Sequence, residues 1–144
     1  MRAAFKPHQY LVTAAIAAGK AEFSRAYNLS AVSSVLDFLN VMSYDYHGAW
    51  DHTTAHNSPV YPDPKRSARD QELTMQYTVD AFLRAGVDPK KLILGMPLYG
   101  HIYHLADVTK HGVWAPVNGT GREQRANTRV RQNNLGNEKM EQKS

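Results

Sequence analysis

The chain has 144 residues, room for one ordinary domain, and a globular composition without a low-complexity block. It contains no cysteine, so nothing in it reports a disulfide framework or a thiolate metal site, and no apolar run is long enough to span a membrane. The net charge of +4 is uneven: in residues 122–144 six basic residues (Arg122, Arg125, Arg129, Arg131, Lys139, Lys143) face three acidic ones (Glu123, Glu138, Glu141), which leaves +3 there and +1 elsewhere. That basic tail lacks the interleaved aromatics on which bases stack, so composition argues against nucleic acid as a partner.

The first apolar run, 11–18, follows Arg2, Lys6, Pro7 and His8 and allows two readings. One is a short signal peptide with a small-residue site at Ala15-Ile16-Ala17. The other is a buried strand over 11–17, stopped by Gly19. Residues 26–36 are mixed and predict a short helix with Ser33 and Ser34 on its solvent side. A second strand is predicted over 38–44, and 48–64 is a long loop marked by Gly, Asn, Asp and Pro. Ser67, with Asp70 three positions on, is an N-cap signal for a helix over 68–85. Leu73, Tyr77, Val79, Phe82 and Leu83 form its apolar stripe, and Gly86 suits its C-terminal stop. The run 92–98 is a third strand. Strand, helix, strand, helix, strand is the pattern of a parallel sheet with crossover helices, an α/β fold. Pattern alone does not separate a slice of a barrel from a doubly wound sheet.

The second strand ends unusually. Phe38-Leu39-Asn40-Val41-Met42-Ser43-Tyr44-Asp45-Tyr46-His47-Gly48-Ala49-Trp50 begins apolar and finishes in a burst of polar and aromatic groups. Such groups are costly in a core unless partnered, so the strand is delivering side chains to a site. This stretch resembles the sixth barrel strand of the glycoside hydrolase family 18 chitinases, whose wording is Met-x-Tyr-Asp-(Phe/Tyr)-His-Gly-x-Trp. The resemblance implies a partial (β/α)8 TIM barrel, about strands 5 to 7, with sites at the C-terminal ends of strands. It favours the strand reading for 11–17, since 4–15 looks like the end of the family's fourth helix running into its fifth strand; Met1 is then an internal position. Beyond Tyr99, Leu105-Ala106-Asp107, His111-Gly112, Ala115-Pro116-Val117 and Gly119-Thr120-Gly121 resemble the start of the family's α+β insertion domain. The likeness ends near Arg122. The implied organisation is a partial TIM-barrel segment at 1–100, the start of the insertion at 101–121, and a disordered basic tail at 122–144.

The resemblance also implies chemistry. Family 18 chitinases hydrolyse β-1,4-N-acetylglucosamine linkages by substrate-assisted retention, outside the usual two-carboxylate scheme. A Glu protonates the leaving oxygen while the substrate's own acetamido carbonyl attacks the anomeric carbon. Tyr44 and Asp45 match the catalytic pair that orients and polarises that acetamide. Met42, on the same strand face as Tyr44, matches the floor of the sugar pocket, although plain packing explains it equally well. Trp50 matches an indole that stacks on a sugar, with core burial the other reading. Tyr99 matches the Tyr of the family's Tyr-Gly-Arg, and His101 stands where that Arg would be, without its fork of donors.

The Asp-x-x-Asp-x-Asp-x-Glu pattern that supplies the acid does not occur in this sequence. The resemblance therefore implies a chitinase fragment, inactive alone, that carries substrate-binding residues without the general acid. A non-catalytic, chitinase-like carbohydrate-binding protein is the other reading. Implied partners are chitin or N-acetylglucosamine oligosaccharides, with no cofactor, no nucleic acid and no membrane. His47, His52 and His56, or His101 with His104, lie on irregular segments without ligand spacing, and the family needs no metal. The sequons at Asn28 and Asn118 fit the extracellular location that the family implies. Open sheet edges predict self-association.

Overall fold

Three short, mostly apolar runs build one parallel sheet in the computed structural model, which describes residues 2–118. The strands are β1 (Thr13–Ala17), β2 (Phe38–Met42) and β3 (Leu92–Leu94), in the order β1-β2-β3. Ala14 pairs with Leu39 and Leu39 with Leu92; Ile16 pairs with Val41 and Val41 with Leu94. Residues paired across strands share a face, so these six line the face toward the helices. Ala15, Asn40 and Ile93 share the other face and are exposed.

Two helices, α2 (Lys20–Ala26) and α3 (Leu29–Val35), connect β1 to β2, and two more, α4 (Ala68–Glu72) and α5 (Met75–Arg84), connect β2 to β3. A four-residue helix, α1 (Arg2–Phe5), precedes a 3-10 turn at Lys6–His8. Asn28 caps α3 through its side chain, which accepts from Ala31 N at 3.1 Å. The core between sheet and helices holds Ile16, Leu39, Val41, Phe23, Leu29, Met75 and Phe82. Phe23 meets Phe82 edge-to-face, with centroids 5.2 Å apart. Burying each of these large side chains contributes roughly 1.5–3 kcal/mol.

Several expectations are corrected. The first strand starts at Thr13, and Leu11 is 63% exposed because it lies before the paired segment. The strand reading of this region holds, since 13–17 pairs along its length with β2. Helix α2 was not legible, because only Phe23 of its seven residues is buried and no apolar stripe forms. Ser33 is buried, not on the solvent side, and the end of α3 is tied to the turn before β3, where Lys91 Nζ donates to the Ser33 and Leu36 backbone carbonyls at 2.8 and 2.9 Å. The helix expected over 68–85 is two helices. Leu73 leaves helical geometry, and Thr74 caps a new start, its hydroxyl accepting from Tyr77 N at 3.2 Å. The buried stripe of α5 is Met75, Thr78 and Phe82, with Leu83 outside it. Ser67 and Gly86 behave as expected: Ser67 Oγ accepts from Asp70 N at 3.1 Å, and Gly86 takes φ +83°. The third strand ends at Leu94, short of 98, because Pro97 cannot donate to a ladder.

At the start of β2, the Asp37 carboxylate receives two bonds from the Arg2 guanidinium and one from Val12 N at 2.7 Å. The Arg2 bonds, and then Val12, hold the carboxyl down to about 2.

The chain divides into two units. Residues 2–47 and 56–97 form the sheet and helices above; 48–55 and 98–118 form the second. In the second, the segment 115–117 runs between two others. Thr53 bridges Pro116 and Leu105 bridges Val117, both antiparallel. Thr54 N donates to Ala115 O at 2.8 Å, and Ala106 N donates to Pro116 O at 3.0 Å. The Tyr103 hydroxyl donates to Ala55 O, and burial pushes this phenol up. Gly119, Thr120, Gly121 and the tail expected at 122–144 lie outside the described residues.

Candidate functional site

The polar end of β2 keeps strand alternation until Tyr44. Leu39, Val41 and Ser43 are buried, Asn40 is exposed, and Met42 and Tyr44 are half-buried. Asn40, Met42 and Tyr44 thus share a face, as expected. Two tight turns then end the strand: Ser43 N donates to Val41 O at 2.9 Å and Tyr44 N to Met42 O at 2.8 Å. Gly95, just past β3, ties the two strand ends together. Its N donates to Val41 O at 2.8 Å, and its carbonyl accepts from Ser43 Oγ at 2.7 Å. A Cβ on Gly95 would sit 2.9 Å from both Val41 O and Tyr44 Cε1. The Tyr44 ring lies against this position, which only glycine leaves open.

Asp45 is exposed and has φ +57°. For an L residue this left-handed conformation costs about 1–2 kcal/mol, less for Asp than for most, and it persists only where surroundings impose it. Asn57 bonds to this turn twice. Its Oδ1 accepts from Asp45 N at 2.7 Å, and its backbone carbonyl accepts from Tyr46 N at 3.1 Å. Ser58 Oγ donates to the Ser43 carbonyl.

The reversal at Asp45 drives Tyr46 inward. Tyr46 is 4% exposed, and its hydroxyl lies 2.8 Å from Thr78 Oγ1. Thr78 is fully buried and also lies 2.9 Å from Ala18 O and 3.0 Å from Thr74 O. A threonine hydroxyl has one proton and both carbonyls are acceptors. Tyr46 is therefore the donor to Thr78. Burial pushes the Tyr46 phenol up. His47, next along, is buried at 3% exposure.

In the second unit, Gly48 N donates to Asp51 Oδ2 and Asp51 N donates to Gly48 O, each at 3.0 Å, closing a turn. The Trp50 indole folds back over Gly48, where a Cβ would come within 2.6 Å of the ring. Trp50 meets His101 edge-to-face, and His101 meets Tyr99 likewise, both with centroids 5.9 Å apart. Trp50 and Tyr99 remain 51% and 45% exposed, so core burial does not describe Trp50.

The structure thus gathers the six residues singled out from the sequence into two groups. Met42, Tyr44 and Asp45 belong to the sheet unit; Trp50, Tyr99 and His101 belong to the second. Tyr99 was expected at the end of the third strand, but it follows Pro97 and lies outside the sheet unit. Two surface depressions lie elsewhere, one lined by Arg2, Lys6, Tyr10 and Asp37, the other by Pro62, Gln71, Glu72 and Tyr77. Sequence reasoning missed Asn57, Ser58, Thr78 and Gly95. Only Gly95 carried a signal, since a glycine within a strand pattern marks close backbone approach. Among the described residues, no group of three or more His, Asp or Glu is arranged to hold a metal ion.

The sequence profile of Glycosyl hydrolases family 18 matches residues 1–144. The chain belongs to this family. The match runs past Gly121, where the motif reading had ended it. Among curated relatives, chitotriosidase-1 of Mus musculus is 38% identical over 111 residues, covering 77% of this chain and 24% of the relative. Among solved structures, the Ostrinia furnacalis Group IV chitinase in complex with allosamidin aligns with TM-score 0.77 at 34% identity, covering 83% of this chain and 33% of that one. Human YKL-39, described as a pseudo-chitinase with retained chitooligosaccharide binding properties, aligns with TM-score 0.77 at 29% identity, covering 83% of this family 18 chain and 35% of the other. This chain spans a quarter or less of the length of the curated relatives it matches.

Proposed function

We propose that this family 18 chain carries the acetamide-binding part of a chitin-hydrolysing site, on a slice equivalent to about strands 5 to 7 of a TIM barrel with the start of the insertion domain. Tyr44 donates to the acetamido carbonyl of an N-acetylglucosamine unit, Asp45 orients that group, and Met42 lies beneath the sugar. Trp50 and Tyr99 offer ring faces to sugar units, with His101 packed between them. The extracellular space, where chitin is met, is the working location. The observation that carries the reading is the left-handed Asp45 next to Tyr44 at the end of β2. Strain of this kind concentrates at functional sites.

A second reading has its own support: a chitooligosaccharide-binding protein without hydrolytic activity. YKL-39, similar to this chain at 29% identity, is described as a pseudo-chitinase with retained chitooligosaccharide binding properties. Calorimetric titration of the purified chain with penta-N-acetylchitopentaose tests what both readings share. Binding that Tyr44→Phe weakens is the expected result; no binding overturns both. Neither reading expects the chain alone to hydrolyse the sugar, because proton transfer by a positioned acid is worth roughly 100- to 10,000-fold. Turnover at ordinary glycosidase rates would require an acid not identified here. The genomic sequence upstream separates the readings: an open frame with the Asp-x-x-Asp-x-Asp-x-Glu strand favours the enzyme.

A further inference from the structure

We infer that Asn57 is the positioning residue for Asp45, setting the aim of its carboxylate toward the sugar acetamide; this rests on the proposed reading of Tyr44 and Asp45. A continuing strand would send Tyr44 and Tyr46 to one face and Asp45 to the other. Here the chain instead reverses at Asp45, with φ +57°, and Tyr46 is driven down to Thr78. The reversal presents two successive N–H groups, and Asn57 takes both: Oδ1 from Asp45 at 2.7 Å and the backbone carbonyl from Tyr46 at 3.1 Å. Ser58 adds a third tie by donating to the Ser43 carbonyl. Residues 57 and 58 thus hold both sides of Tyr44 and Asp45.

The side-chain bond is the specific part. Any residue at 57 supplies a backbone carbonyl for Tyr46, but only a side-chain acceptor of this length reaches the Asp45 amide. Gln is one methylene too long, and Leu has the shape of Asn without the acceptor. Without the Oδ1 bond, Asp45 loses a 2.7 Å bond to its own amide that offsets its left-handed conformation, and its carboxylate turns. Asn57 itself need not touch sugar. It acts through Asp45, and that makes its effect separable.

The test measures penta-N-acetylchitopentaose binding by calorimetry for the wild-type chain, Asn57→Leu, Asp45→Ala and the double variant. Asn57→Leu is expected to bind about tenfold more weakly, the scale of one mis-set charge-assisted contact. In the Asp45→Ala background the same substitution should change binding by less than about twofold, because its route is already gone. Equal effects in both backgrounds, or no effect in the first, overturn the inference while leaving the functional reading intact. A wild-type chain that does not bind overturns the reading itself. Amide hydrogen exchange in the wild-type protein provides a readout that needs no variant: the N–H of exposed Asp45 should be protected. Exchange at the rate of an open amide overturns the inference even if Asn57→Leu does not fold.

Discussion

Thr78→Val is the substitution that best tests the packing beneath the candidate site. It keeps the shape of a fully buried side chain and removes only the hydroxyl. That hydroxyl accepts from Tyr46 and donates its one proton to Ala18 O or Thr74 O. Without it, the Tyr46 O–H, at 4% exposure, has lost its acceptor. A stranded buried donor costs about 1–3 kcal/mol, and the second bond lost adds about 0.5–1.5 kcal/mol. Tyr46→Phe removes the donor and leaves Thr78 still donating to a carbonyl, so it costs only about 0.5–1.5 kcal/mol. The double variant should be less destabilised than the sum of the two, by about 1–2 kcal/mol, because no phenol remains to be stranded. Urea unfolding followed by fluorescence, at one fixed protein concentration, measures all four corners of the cycle. Additive effects, or a Tyr46→Phe change costlier than Thr78→Val, would refute the proton assignment.

Gly95→Ala should destabilise by about 1–3 kcal/mol, since its Cβ meets a backbone carbonyl that cannot yield cheaply, and, on the proposed reading of Tyr44, should weaken chitooligosaccharide binding by moving that ring. Unfolding curves and calorimetry report the two effects separately. Gly48→Ala should displace the Trp50 indole and alter its fluorescence, and an unchanged emission spectrum would count against the indole lying over Gly48. Asp37 is held below its ordinary range, so its contribution to stability is complete above about pH 4 and is lost as pH falls through its folded value of about 2. Arg2→Ala should raise its titration midpoint, read by carboxyl NMR, while the Val12 N–H keeps part of the depression. Tyr46 shifts the other way: its neutral form is favoured in the fold, so stability holds below the unfolded value of about 10 and declines as pH rises above it. Tyr46→Phe should remove that alkaline loss. The exposed edge and open face of the sheet should drive self-association, and size-exclusion chromatography showing a monomer with a sharp thermal transition would contradict it.

Much of this protein was legible in its sequence because the signals were local. Ser67 and Gly86 mark helix ends through their own backbone and side-chain chemistry, and they behave as read. The alternation of Leu39, Val41 and Ser43 against Asn40, Met42 and Tyr44 follows from the period of two of any strand. The Met-Ser-Tyr-Asp-Tyr-His-Gly wording carried the family. What sequence could not show were effects that need a distant partner. Val41 is 1% exposed only because its register against Ile16 and Leu94 puts it on the face that the helices cover. Nothing local tells Asn57 that the amide of Asp45, twelve positions earlier, will need an acceptor. Nor does it tell Thr78 that a tyrosine thirty-two positions earlier will donate to it. Residue type and period determined the strands and the chemistry at their ends. Only the tertiary structure decided which buried donors meet which acceptors, since a hydrogen bond depends on where both of its atoms finally lie.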